Sequence, residues 1–260
     1  MKLCCKREIH QCAVAAFVLL ILAGCGTAPD LETSRRFQDA EQRFAEAKTA
    51  QEFSLVAARY QEIIDSGFVS GVVFYNQGNA WMNAGQRGRA IASYRQAQNL
   101  IPRDPYLAAN LSLALDGRSD ASFEILDYVF FWEDHLALTE TAWIATAFLV
   151  LAVITLLVAQ LDRQVVIMRR VGWTAFLLAL LMGGSTARQW WAVEQQSCGC
   201  VVAVTASARK GPAESFEPAF TAELSEGTEF RVIGREGDWI HAEIADAGAG
   251  WIPESACVTW

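Results

Sequence analysis

Two charge-free apolar runs constrain this chain more than any other feature: residues 141–161, 21 in all, and residues 171–187, 17 in all. At about 1.5 Å per helical residue each reaches roughly 25–30 Å, enough to cross the hydrocarbon of a bilayer, so a transmembrane helical hairpin is expected. The loop between them, 162–170, carries Asp162, Arg163, Arg169 and Arg170. Three arginines in a short loop favour the cytoplasmic side, which puts both flanks outside the cytoplasm. Trp143, Trp173, Trp190 and Trp191 fall near the helix ends, where indole rings favour the headgroup layer. Gly172, Gly183 and Gly184 are positioned to let the two helices approach closely. The runs also explain the composition, 53% hydrophobic and only 19% charged, against about 45–50% and 25% for soluble domains. With 21 basic and 29 acidic side chains, the chain lacks the cationic surface that a nucleic-acid partner needs.

The N-terminus reads as an export signal. Lys2, Lys6 and Arg7 precede an apolar core over 13–23 that is too short to span a bilayer. It ends in Leu22-Ala23-Gly24-Cys25, which resembles the bacterial lipobox. Residues 1–24 are therefore expected to be removed, with Cys25 lipidated.

From Gly71 to Asp104 the chain spans 34 residues with large side chains at Phe74, Trp81 and Tyr94 and small ones at Gly78, Ala90 and Ala97, closed by Pro102. That period and pattern resemble the tetratricopeptide repeat, with Gln77 as the one departure in size. Tyr60, Val56 and Ile63 lie 34 residues before Tyr94, Ala90 and Ala97, which gives a weaker preceding copy with helices over 34–50 and 52–65. A third A-helix begins at Tyr106. An α-helical solenoid over 31–118 follows, and the resemblance implies a concave face for an extended segment of a partner protein. By family position that face carries Val72, Tyr75, Asn76, Asn79, Met82 and Asn110. None is basic, which disfavours a carboxylate-gripping subtype. Arg87 and Arg89 are expected in the inter-helix turn, solvated. Residues 119–140, with Phe130, Phe131 and Trp132, suit an interfacial segment before the first span.

After a linker over 188–200 the pattern turns to alternation with Gly and Pro punctuation. Strands are expected over 201–208, 228–235, 238–245 and 249–252. Arg209-Lys210-Gly211-Pro212, Glu226-Gly227-Thr228, Gly237-Asp238-Trp239-Ile240 and Gly250-Trp251-Ile252-Pro253 resemble the bacterial SH3-like domain, which implies an all-β barrel over 201–260. Trp239 and Trp251 would line its groove, since aromatic faces bind sugar rings and proline-rich peptides. Cys257 near the end of this module is expected to form a disulfide with Cys198 or Cys200 near its start, in an oxidising compartment.

No phosphate loop, zinc-protease helix or nucleophile elbow is present, and His10, His135 and His241 fall in three different segments. No catalytic residue, metal site or cofactor is expected. The order of signal, helical repeats, membrane hairpin with a basic loop and SH3-like tail resembles the BatE proteins of the Bacteroides aerotolerance operon. That resemblance implies a non-catalytic inner-membrane scaffold with both soluble modules periplasmic, working beside von Willebrand factor A membrane proteins and a MoxR-type ATPase. Two other readings stay open: an envelope anchor whose tail binds peptidoglycan, and a thiol-redox protein using Cys198 and Cys200.

Overall fold

The computed structural model describes residues 30–116, 130–161, 166–195, 197–245 and 247–260. The expected signal, Cys25, the first half of the interfacial segment (119–129), and Asp162 and Arg163 lie outside them. Five helices come first: α1 (Leu31–Glu46), α2 (Ala50–Asp65), α3 (Gly71–Asn83), α4 (Arg87–Leu100) and α5 (Pro105–Leu115). The boundaries follow local chemistry. Asp30 accepts from the Thr33 amide at the start of α1, and Thr49 with Glu52 forms a reciprocal capping box on α2. Asp104 accepts from two amides ahead of Pro105, whose fixed φ suits the first helical position. Neither α3 nor α4 has a side-chain cap; burial holds them instead.

Short turns make consecutive helices antiparallel neighbours. Gly78 lets α3 lie close to α4: a Cβ there would lie 2.5 Å from the Tyr94 ring. Gln77, the odd residue in the size pattern, is buried and fully used. Its amide nitrogen donates to Gln61 Oε1 at 2.8 Å and to the Ala57 carbonyl at 3.4 Å, and its oxygen accepts from Ser93 Oγ at 3.0 Å. It ties α2, α3 and α4 together at a point where an apolar residue would leave Gln61 and Ser93 short of partners.

The next two helices, α6 (Leu138–Leu161) and α7 (Val166–Gln195), are long and apolar enough to cross a membrane. They pack as an antiparallel hairpin and leave Leu149, Val153, Leu157, Leu177 and Leu180 exposed. At about 1.5 Å per residue α7 is about 45 Å long, beyond what the hydrocarbon requires. Of the three glycines expected between the helices only Gly172 is there: its added Cβ would meet Leu156 Cγ at 2.6 Å, whereas Gly183 and Gly184 face open space. At one end Trp132 Nε1 donates to Ser185 Oγ at 3.0 Å, Ser185 donates to Glu133 at 2.6 Å, and Arg188 pairs with Glu133. Arg103, just before α5, bridges to Glu140 on α6 at 2.5 Å. The hairpin is thereby fastened to the turn before it and to the helical stack.

The C-terminal module corrects the expected SH3-like barrel. Strands β1 (Cys198–Val201), β4 (Glu229–Glu236), β5 (Trp239–Ile244), β6 (Gly248–Pro253) and β7 (Cys257–Thr259) form one antiparallel sheet in the order β6-β5-β4-β1-β7, with β2 (Thr205–Ala206) and β3 (Leu224–Ser225) as a separate ladder. The edges β6 and β7 do not pair, so no barrel closes. The expected first strand over 201–208 is broken: β1 ends at Val201, β2 has two residues, and 207–223 runs as turns with isolated bridges from Arg209 to Pro218 and Trp251. The expected linker is also absent as such, because α7 continues to Gln195 and β1 starts at Cys198.

β1 is buried on both faces. Val201 points into the module's own core with Phe230, Ile240, Ala242 and Ile252. Cys200 points the other way, into the helical core with Tyr94, Ile91 and Leu107, joined by Val258 and Trp260 of the tail. Alternation along the strand makes this two-sided burial possible. The sheet is docked on α4 through this contact. Gly88 sits against the Val201 carbonyl, where a Cβ would come within 2.2 Å, and its amide donates to Glu226 Oε1 at 2.9 Å. Arg95 grips Glu229 with two nitrogens, each at 2.7 Å.

Gly172→Ala is expected to lower the melting temperature of the detergent-solubilised chain, by overpacking worth about 1–3 kcal/mol against a gain in helix propensity of about 1 kcal/mol. Gly183→Ala, which meets nothing within 4 Å, is expected to leave it equal or higher. Equal losses in the two variants would contradict this packing.

Candidate functional site

The six residues expected on the concave face divide into two groups. Asn79 is the hub of a polar network: its Oδ1 accepts from Tyr94 Oη at 2.9 Å and from Asn110 Nδ2 at 2.8 Å. Asn110 Nδ2 also approaches Tyr75 Oη at 3.1 Å. These bonds join α3, α4 and α5, so Asn79, Asn110 and Tyr75 set the spacing of the helices that form the face. Burial pushes the Tyr94 phenol up, keeping it a neutral donor to Asn79. Met82 is half-buried and packs against the core that contains Phe74 and Tyr94. Val72 is 48% exposed at the lip.

Asn76 lines a cleft of about 160 Å³ with Asn79, Tyr60, Glu41 and Phe44. Tyr60 is buried and pushed up to about 12 by burial, with the nearby Glu41 carboxylate adding to the shift. Glu41, Phe44 and Tyr60 were not among the residues expected here. The 34-residue offset could have found one of them, since Glu41 stands 34 residues before Tyr75. The face therefore crosses three helices, α1, α2 and α3, with α5 behind the network at one end.

Arg87 and Arg89 belong to the first turn of α4 and are not simply solvated. Arg87 Nε donates to the Ala114 carbonyl at 2.6 Å, and the Arg89 guanidinium lies 4.9 Å over the Trp81 ring.

Trp239 and Trp251 share one sheet face but line no barrel groove. Trp239 stands opposite Pro253, and His241 opposite Trp251, on the side of β5 away from the core residues Ile240, Ala242 and Ile244. The His241 and Trp251 rings stack at 4.6 Å, 5° from parallel.

The expected disulfide is not formed. Cys257 is a free thiol facing the Pro253 and Glu254 carbonyls. The register explains why: Cys257 stands across from Val201, and Cys200 across from Val258. Cys257 therefore shares the module-core face with Val201, while Cys198 and Cys200 face α4. Burial pushes both the Cys198 and Cys257 thiols up, the latter to about 11, and Glu229 and Glu254 add to the effect. This is the reverse of what a reactive thiolate requires. Among the described residues no His, Cys, Asp or Glu group could hold a metal ion.

Cys257 and Tyr60 are both held neutral by the fold, so the unfolded chain releases their protons first as the pH rises. Stability is then expected to fall from about pH 9, the ordinary thiol value, through the Cys257 window to about 11 and the Tyr60 window to about 12. Denaturant unfolding across this range should show the decline, with a shallower slope between pH 9 and 11 in Cys257→Ala; identical slopes would contradict the assignment.

Comparison with protein families, with curated proteins and with solved structures finds no match to this chain.

Proposed function

We propose that this chain is a non-catalytic scaffold held in a membrane by its helical hairpin, and that its helical stack binds an extended segment of a partner protein. The observation that carries this reading is the concave face itself: polar, lined from three helices, with a cleft the size of one side chain. The Asn79 network makes it rigid before any partner arrives, so little conformational entropy is lost on binding. The sheet docks on α4, which contributes no residue to the cleft, so the sheet leaves the face uncovered.

The dock also favours a two-span topology. The stack precedes the hairpin and the sheet follows it, and their contact requires both on one side of the bilayer. With Arg169 and Arg170 at the loop end of α7, the positive-inside tendency assigns that loop to the cytoplasm and the soluble parts to the periplasm of an inner membrane. The repeat pattern supports a tetratricopeptide-type stack, and the order of segments supports partners of the BatE setting, von Willebrand factor A membrane proteins and a MoxR-type ATPase system.

A photo-crosslinking amino acid at Val72, 48% exposed beside the cleft, should trap one discrete protein partner in native membranes. The same group at Leu55, 63% exposed on α2, should not. No adduct from Val72, or the same adducts from both, would overturn the reading.

A further inference from the structure

The cleft differs chemically from the rest of the face. Its volume, about 160 Å³, is below the roughly 300–1,000 Å³ of small-molecule pockets and suits one long side chain. Glu41 is the one charged residue lining it. The neighbouring acids of α1 are all engaged on their own helix: Glu32 with Arg36 at 3.0 Å, Asp39 with Arg43 at 2.7 Å, and Glu46 as acceptor from Gln42 at 2.8 Å. Glu41 has no ion-pair partner among the described residues. Of the other helices that line the cleft, α3 contains no charged residue, and the one cation of α2, Arg59, pairs with Glu62 on its own helix at 3.3 Å.

The remaining walls suit a cation with an apolar stem. Phe44, braced edge-on by Phe53 at 5.3 Å, offers a ring for methylene groups and for cation–π attraction. Tyr60 and Asn76 add side-chain oxygen atoms to the lining. An acidic side chain would meet Glu41 at close range, and an apolar one would strip water from Glu41 and Asn76 without replacing it.

We propose that the Glu41–Phe44–Tyr60–Asn76 cleft is a subsite for a single lysine or arginine side chain of the bound partner segment. The inference rests on the reading of the concave face as a protein-binding groove and adds the charge that the partner must present there.

Selection of a displayed random peptide library on the full-length chain in lipid nanodiscs tests both levels. Peptides whose binding is lost in Asn76→Ala should share a Lys or Arg at one fixed position. Replacing that residue by norleucine should weaken binding about fivefold to the wild type, the range of a partly exposed ion pair, and leave binding to Glu41→Gln unchanged. Glu41 is exposed, so this variant is expected to fold. An equal loss with both proteins, or Asn76-dependent peptides with no basic position, would overturn the cation subsite while leaving the groove intact. Failure to recover any Asn76-dependent peptide would overturn the groove reading and the subsite with it.

Discussion

The packing of β1 and β7 against α4 is the contact on which the rest of the arrangement depends. Three different forces meet there. Cys200, Val258 and Trp260 complete the apolar core of the helical stack. The Arg95–Glu229 pair, with side chains 26% and 17% exposed, fixes orientation through two parallel hydrogen bonds, the geometry in which arginine is most specific. Gly88 removes the one Cβ that would hold the backbones apart and offers its amide to Glu226. Loss of any one would loosen a contact that joins segments more than 100 residues apart in sequence.

That contact turns three segments into one body. The stack leads into the hairpin through Arg103–Glu140 and through the Trp132–Ser185 and Glu133–Arg188 contacts. The hairpin returns through α7 almost directly into β1, and β1 closes the circuit on α4. The concave face lies off this circuit. It is braced by the Asn79 network while the side of α4 that packs on β1 is occupied.

Sequence patterning carries most of the elements and few of the contacts between them. The expected helices over 34–50 and 52–65 and the one beginning at Tyr106 fall within four residues of α1, α2 and α5, because apolar spacing marks each core-facing stripe. Charge-free runs locate both long helices, although polar and aromatic residues such as Arg188 and Trp190 conceal how far α7 extends. The barrel expectation failed because turn motifs around Gly211 and Gly237 reveal where the chain bends, not whether edges meet; β2 and β3 proved too short to close the sheet. Gly88, Arg95 and Cys200 carry no local signal of the dock, since a glycine and an arginine in a helix and a cysteine in a strand are ordinary alone. The groove residues were half legible: Asn76 and Asn79 emerged from family position and line the cleft, Asn79 also holding the internal network, whereas Glu41 required extending the period into the weaker copy.

Amide hydrogen exchange of the full-length chain in lipid nanodiscs, comparing wild type with Gly88→Val, tests the central claim most directly. If the stack and the sheet are one body, the added side chain against the Val201 carbonyl should raise exchange in β1 and β7 as well as in α4, although no strand pairing is itself altered. Faster exchange confined to α4, with β1 and β7 as protected as in the wild type, would contradict the dock.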